Sequence, residues 1–337
     1  MPLVSIITPL HNKGPFIAET IRSVQSQSFA DWEMIVVENH STDDGPGIVE
    51  KYAAEDARVI LIAAPEEVRG PGAARNLGLS HAHGEWIQFL DADDLLLPGH
   101  FESQMAAAAQ VPEADIITCD WLEGPVLRNA GCKLKKPTNN NPDSDFVSAA
   151  IAFTPWVVHS AWVKRITMGV PPWWDTSFDG LIAEDFSFWF KVLQGAKSLY
   201  SPHAGVFYRV DTADRRNTES DLERYLDSLD KGVEANLKIL AARGQELNYR
   251  HRQALFNLHL GLLRFRFTRQ QAGLRRRIEA RIRTLRPSFR EAVGRRDWAV
   301  ALSYILPWPV LRQWVERRRQ KIASRTTCAA EPEERNK

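Results

Sequence analysis

Short apolar, β-branched runs alternate with amphipathic stretches through the first 120 residues. The runs at 3–8, 34–38, 59–63, 86–90 and 115–119 are each bounded by turn-forming or charged residues, which predicts five strands. Between the first two, Pro15 suits a first helical turn, and Ile17, Ile21 and Val24 follow at helical spacing. Further helices are predicted near 47–55, 72–82 and 98–110. Strands alternating with helices of this length imply a mainly parallel α/β sheet covered on both faces. Ligands of such sheets gather at the carboxyl ends of the strands, here the segments 8–12, 38–41 and 91–94.

Residues 122–146 break this rhythm, and the polar, Asn- and Pro-rich stretch from Lys133 to Asp143 reads as a loop. Aromatic residues then crowd between Trp156 and Phe190, and from about Asp221 the pattern turns helical and Arg-rich. The expected organisation is a domain over 1–220, in two parts at about 1–120 and about 145–220. A helical basic region at 221–325 and a disordered tail at 326–337 would follow. Charge sharpens this division: residues 1–249 carry 21 Lys and Arg against 35 Asp and Glu, whereas residues 250–325 carry 20 against 4. The net charge of +1 over 337 residues hides that asymmetry. It argues against nucleic-acid binding across the surface and leaves room for a basic C-terminal partner site.

Three scattered cysteines, Cys119, Cys132 and Cys328, give neither a disulfide framework nor a CxxC zinc spacing. The start of the chain has no basic, cleavable leader, so a cytoplasmic protein is expected. The longest apolar stretch, from Trp298 to Leu311, falls short of the ~20 residues of a membrane-spanning helix.

Two acidic pairs carry the candidate chemistry. Asp91 and Asp93 stand one residue apart after an apolar strand, where hard oxygen ligands can hold Mg2+ or Mn2+ against a diphosphate. Glu184 and Asp185 precede Phe186, Trp189, Phe190 and Leu193, a stripe of helical period. They therefore sit at a helix N-terminus, which favours the ionised carboxylate that a general base must be. Either pair alone is also what an ordinary helix cap looks like.

Four ordered segments, 4–12, 35–43, 72–78 and 84–94, together resemble the N-terminal signature of family 2 glycosyltransferases. The resemblance implies the GT-A fold, a Rossmann-like sheet with helices on both faces, here with a helical C-terminal extension. It further implies inverting, metal-dependent transfer from a nucleotide sugar, most commonly a UDP-sugar, to an acceptor hydroxyl. Carried over by position, Thr8, Pro9 and His11 would border the nucleotide, Glu38 would contact the base and Arg75 would hold the nucleotide. Asp91 would sit near the ribose, Asp93 would bind Mn2+ or Mg2+, and Asp185 would be the base, with Glu184 as its substitute. This chain departs from the family at His11, commonly Tyr, and at His40, commonly Gly.

Trp173 and Trp174 are candidate walls for a sugar acceptor, and His203 is a candidate addition to the metal shell. Basic residues from Arg275 to Arg296, beside Trp298, suit either an anionic membrane surface or a packed helical surface, including that of an oligomer. The acceptor expected on this reading is a cell-surface polysaccharide or a lipid-linked glycan. A sugar-nucleotide pyrophosphorylase is the competing enzyme class, but the turn after the first strand lacks its Gly-rich basic loop. A non-catalytic scaffold of the same fold is the third reading.

Overall fold

A computed structural model describes residues 3–125, 132–137, 156–181, 184–210, 222–263 and 271–307, with isolated positions at 127, 148, 150–152, 310–311, 313–315 and 317. The expected tail at 326–337, the Asn-rich stretch at 138–147 and the basic cluster at 318–321 lie outside the described residues.

The N-terminal half forms as its periodicity dictates. Strands β1 (Val4–Leu10), β2 (Trp32–Glu38), β3 (Val59–Ala63) and β4 (Trp86–Phe89) alternate with helices α1 (Gly14–Gln25), α2 (Gly45–Glu55) and α3 (Pro71–Ser80). These strands pair in parallel in the order β3-β2-β1-β4, with Ile6 opposite Met34 and Gln88. The central strands are buried on both faces, which is why they read as unbroken apolar runs. Ile17, Ile21 and Val24 of α1 are fully buried against the sheet, so the predicted stripe is the packing face. Helix α3 packs against β1 so closely that a Cβ on Gly78 would stand 2.6 Å from Cγ2 of Ile7.

Beyond β4 the sheet is mixed, with parallel and antiparallel pairs, within the mainly parallel architecture expected. Strands β5 (Leu95–Leu96), β6 (Ile116–Gly124), β7 (Lys133–Lys135), β8 (Ala161–Lys164) and β9 (Ser198–Arg209) complete nine strands in one sheet among the described residues. β8 runs antiparallel to both β4 and β6, β5 runs antiparallel to β9, and β6 and β9 are parallel. Lys133 to Lys135, expected in a loop, pair with β6 instead. Helix α4 (His100–Gln110) precedes β6, and α5 (Glu184–Leu193) begins at the second acidic pair. In α5, Trp189, Phe190 and Leu193 are fully buried, as is Phe188, giving this short helix its anchor.

The described residues divide into two compact units, 1–243 and 244–337. The expected boundary at 220 lies outside the described residues. Helix α6 (Leu222–Ala242) goes with the first unit because it is bonded there: Arg224 donates to the Gly180 carbonyl at 3.0 Å, and Asn236 to the Ile151 carbonyl at 3.3 Å. The second unit is helical, with α7 (Tyr249–Leu262), α8 (Ala272–Leu285), α9 (Phe289–Gly294) and α10 (Trp298–Leu302). Helices α7, α9 and α10 start on side-chain caps from Asn248, Ser288 and Asp297. Ile278, Ile282 and Leu285 of α8 are buried, while Arg275, Arg276 and Arg283 are exposed. Among the described residues no helix is long and apolar enough to cross a membrane.

Candidate active site

The carboxyl ends of β1 and β2 are tied to each other. The side-chain oxygen of Asn12 accepts from the Thr42 amide at 2.7 Å, and the Ser41 hydroxyl accepts from the Asn12 amide at 3.2 Å. His11 lies 2.7 Å from the Asn39 carbonyl. Asn12 (φ 52°) and His40 (φ 60°) adopt left-handed backbone angles that disfavour side chains beyond glycine. That geometry explains why glycine is common where His40 stands. The His40 ring is used here, 3.1 Å from the Val68 carbonyl.

These ends open onto a cavity of about 760 Å3. Pro9 and His11 line it from the β1 side, Asp91 and Asp93 from the loop after β4, and Glu184 and Asp185 from the start of α5. The two acidic pairs, more than ninety residues apart in sequence, thus face one space.

The acidic loop carries a graded environment. Asp93, near the cavity surface, pairs with the Lys13 ammonium at 3.0 Å. Asp94 is fully buried; burial and the charges of Asp93 and Asp91 push its carboxyl well above the usual carboxylate range. Its Oδ1 accepts from the Arg209 amide at 2.7 Å, and its Oδ2 lies 3.3 Å from Nδ1 of His159. Burial, helped by the charge of Arg75 and opposed by Asp91, pushes His159 down to about 4, so its imidazole is neutral at physiological pH. Arg209 also donates to the Asp93 carbonyl and pairs with Glu19, holding the loop from β9.

Arg75 joins the two acidic pairs. One guanidinium nitrogen donates to Asp91 at 2.7 Å and another to Glu184 at 2.9 Å, with the side chain only 3% exposed. Burial opposes the charge, but the two carboxylates more than restore it, and the guanidinium is held above its ordinary value. The ring of Trp174 lies beneath, 4.5 Å from the guanidinium carbon, and is stacked on Phe188 at 4.2 Å. The segment carrying Trp174 is pinned to α3. Asn76 exchanges two bonds with the Trp174 backbone, and Asp179 accepts from the Gly72 and Ala73 amides.

Several expected site residues lie elsewhere. Thr8 is fully buried within β1 and does not line the cavity. Glu38 turns its carboxylate to the Ser41 amide, and its neighbour Asn39 lines the cavity instead. Trp173 and Trp174 border a separate recess with Lys231 and Lys238, while Trp156, standing on Trp189, faces the acidic cavity. His203 is not in the shell of Asp93; β9 carries it to the side of His100 and Cys119. Lys13, His159, Tyr208 and Arg209 line the cavity without having been singled out. Only Lys13, two residues after His11, had a local signal.

The donor set suits a hard divalent cation. Asp93 offers carboxylate oxygen at the cavity wall, two residues from the Asp91 carboxylate, and the Lys13 ammonium balances part of that charge. Asp93, with Asp91 beside it, would hold such an ion.

The sequence model of glycosyl transferase family 2 matches residues 5–129. An uncharacterized glycosyltransferase of Haemophilus influenzae is 29% identical over 216 residues, which cover 62% of this chain and 80% of that protein. TuaG of Bacillus subtilis, named for teichuronic acid biosynthesis, is 40% identical over 104 residues, 31% of this chain and 41% of that one. A Campylobacter jejuni undecaprenol-linked glycan β-1,3-glucosyltransferase is 36% identical over 108 residues, 32% of this chain and 35% of its own. The chain thus spans well under half the length of the latter two. Among solved structures, S. aureus TarS 1–349 in complex with UDP-GlcNAc superposes with a TM-score of 0.64 at 18% identity, covering 95% of this chain and 92% of that one. That likeness gives the GT-A fold. The family's sequence blocks thus stand in order on that fold, and residues 5–129 of this chain carry the glycosyl transferase family 2 match.

Proposed function

We propose that the protein is an inverting transferase that moves a sugar from a UDP-linked donor to a hydroxyl of a cell-surface polysaccharide or lipid-linked glycan. The observation that carries this reading is the single cavity onto which Asp93 and Asp185 both face. The relatives named for teichuronic acid and undecaprenol-linked glycans support the acceptor class, and the UDP-GlcNAc bound by TarS supports the donor class.

In this reading Asp185 takes the proton of the acceptor hydroxyl as that oxygen attacks the anomeric carbon. Glu184 is engaged by Arg75 and serves as its brace rather than as the base. A divalent cation on Asp93 would supply charge stabilisation to the departing diphosphate. Lys13 adds a positive group at the same wall. Pro9 and His11 border the nucleotide, and Trp156, though only 3% exposed, lines the cavity where Trp173 and Trp174 do not. One displacement with one base inverts the anomeric centre, so an α-linked donor yields a β-linked product.

The second unit is proposed to rest on an anionic membrane surface. Trp298, Ile305 and Phe289 are 46%, 69% and 44% exposed among exposed arginines, the composition of an interfacial surface.

The test is nucleotide release from UDP-, GDP- and dTDP-sugars by the purified protein with Mn2+. One donor class should turn over, and Asp93→Ala and Asp185→Asn should each lower kcat by at least about a hundredfold, the usual scale of a general base or charge stabiliser. Full activity in either variant would remove that residue from its role, and no turnover of any donor would favour a scaffold.

A further inference from the structure

Away from the cavity, three donor atoms of a softer kind converge. β9 opposes β6 in step from Ile116 and Ser198 to Cys119 and Ser201, but Asp120 then opposes Ala204. Pro202 and His203 are therefore extra residues in β9, a bulge of the sort that re-aims a side chain. His203 is turned toward the first residue of α4, with its Nε2 3.3 Å from Nδ1 of His100. Sγ of Cys119 lies 4.0 Å from the same Nδ1, and all three atoms fall within 4.8 Å of one another. The backbone of Gly205 approaches the three atoms closely, and only a residue without a side chain fits there. A Cβ there would stand 2.2 Å from His100 Nδ1, 2.7 Å from Cys119 Sγ and 2.8 Å from His203 Nε2.

The surrounding bonds fix the tautomer of His100. The indole N–H of Trp162, which can only donate, reaches Oε1 of Gln88 at 2.6 Å, and the Gln88 amide nitrogen donates to the His159 carbonyl at 2.7 Å. The same Oε1 faces Nε2 of His100 at 3.1 Å and must accept, so the ring carries its proton there. Nδ1 is left as a lone pair aimed at His203 and Cys119. A ring whose far N–H is held by an oxygen is what metal-binding histidines show. The Ser201 hydroxyl, 3.1 Å from Nδ1 of His203, offers the second ring an equivalent partner.

We propose that His100, Cys119 and His203 bind a divalent cation of the zinc class at a site separate from the acidic cavity. Two imidazoles and a thiolate prefer such an ion over the hard Mg2+ or Mn2+ suited to Asp93. Zinc–nitrogen bonds of ~2.0–2.1 Å at tetrahedral angles put two ligand nitrogens roughly 3.3 Å apart, the separation seen between the histidines. Burial pushes the Cys119 thiol up, so the cation must displace its proton. Binding then converts thiol and aqua ion to a metal thiolate and one released proton. The partly exposed side of His203 leaves the fourth position to water. The bound ion would fasten α4, β6 and β9 together. Two residues beyond Gly205, β9 pairs Phe207 with Leu95, and its last residue holds Asp93 and Asp94.

The experiment is a cobalt titration of the chelator-treated full-length protein. The expected result is one equivalent of Co2+ giving a thiolate-to-metal charge-transfer band with tetrahedral ligand-field bands, displaced by Zn2+. Cys119→Ser should lose the charge-transfer band, His203→Ala should weaken binding at least tenfold, and Asp93→Asn should leave both unchanged. His203 is half-exposed, so its variant decides the matter even where Cys119→Ser is poorly folded. A flat titration, or the wild-type spectrum in Cys119→Ser, overturns the proposal and leaves a histidine–histidine hydrogen bond beside a thiol.

Discussion

Arg75 shows how one residue can set the form of a site. It is nearly sealed from solvent and meets carboxylates from two distant segments, Asp91 and Glu184, through separate nitrogens. A lysine keeps the charge but concentrates it on one atom, which cannot span both partners as the planar guanidinium does. Arg75→Lys should therefore lower stability by about 3 kcal/mol, the scale of breaking a buried pair, and should misplace Asp91 and α5. Urea denaturation checks the first part, and kcat with the identified donor the second. An unchanged urea midpoint would show that the bridge carries no structural weight. The same environment marks one member of the second acidic pair: Glu184 is bonded to Arg75, and both Glu184 and Asp185 line the cavity.

Between elements, the contact of α1, α2 and β3 offers a pH test away from any proposed chemistry. Asp56, just after α2, accepts from Arg58 through both oxygens at 2.9 Å and from Gln25 of α1 at 3.1 Å. The Arg58 hydrogen bonds hold its carboxyl well below the usual range, outweighing burial, with Gln25 assisting. Because the folded value lies below the unfolded one, the stabilisation is present above the unfolded pKa and is lost as pH falls. Asp56→Asn should lower the urea midpoint at pH 7, and the gap to wild type should narrow steadily below about pH 4, the unfolded carboxyl value. A gap constant from pH 7 to pH 3 would assign the effect to packing instead. Arg58 is 39% exposed, so salt should shrink the gap at neutral pH.

The pattern reading succeeded on elements where local period and burial coincide. Strands β1 to β4 and helices α1 and α3 appear within a few residues of their expected spans. It missed β5, β7 and β8, two to four residues long, because strands so short show no period, and it missed the twelve-residue β9, whose bulge at Pro202 and His203 interrupts the alternation. It left the pairing beyond β4 open, because an apolar run states that a strand is buried but not which neighbour it meets or in which direction.

At the scale of the molecule, the charge asymmetry of the sequence follows the division into two units, acidic in the first and basic in the second. The proposed membrane role belongs to the second unit and predicts salt-sensitive co-flotation of the intact protein with vesicles rich in anionic lipid. Replacing Arg275, Arg276 and Arg283 by Glu should abolish it, and Trp298→Ala should weaken it several-fold, while neutral vesicles should not retain the protein. Equal retention on neutral and anionic vesicles, or no effect of the arginine changes, would count against the surface.

The sequence alone determined the alternating architecture, the acidic loop after the fourth strand and the acidic pair at the head of a buried helix. Each is written in neighbouring residues, through period, turn chemistry and helix-end electrostatics. The tertiary structure decided which of those carboxylates share a cavity, that Arg75 binds two of them, that Trp156 rather than Trp173 or Trp174 faces them, and that His203 joins His100 and Cys119. Such contacts depend on strand order, a register shift and the close approach of segments a hundred residues apart, none of which leaves a local mark in the chain.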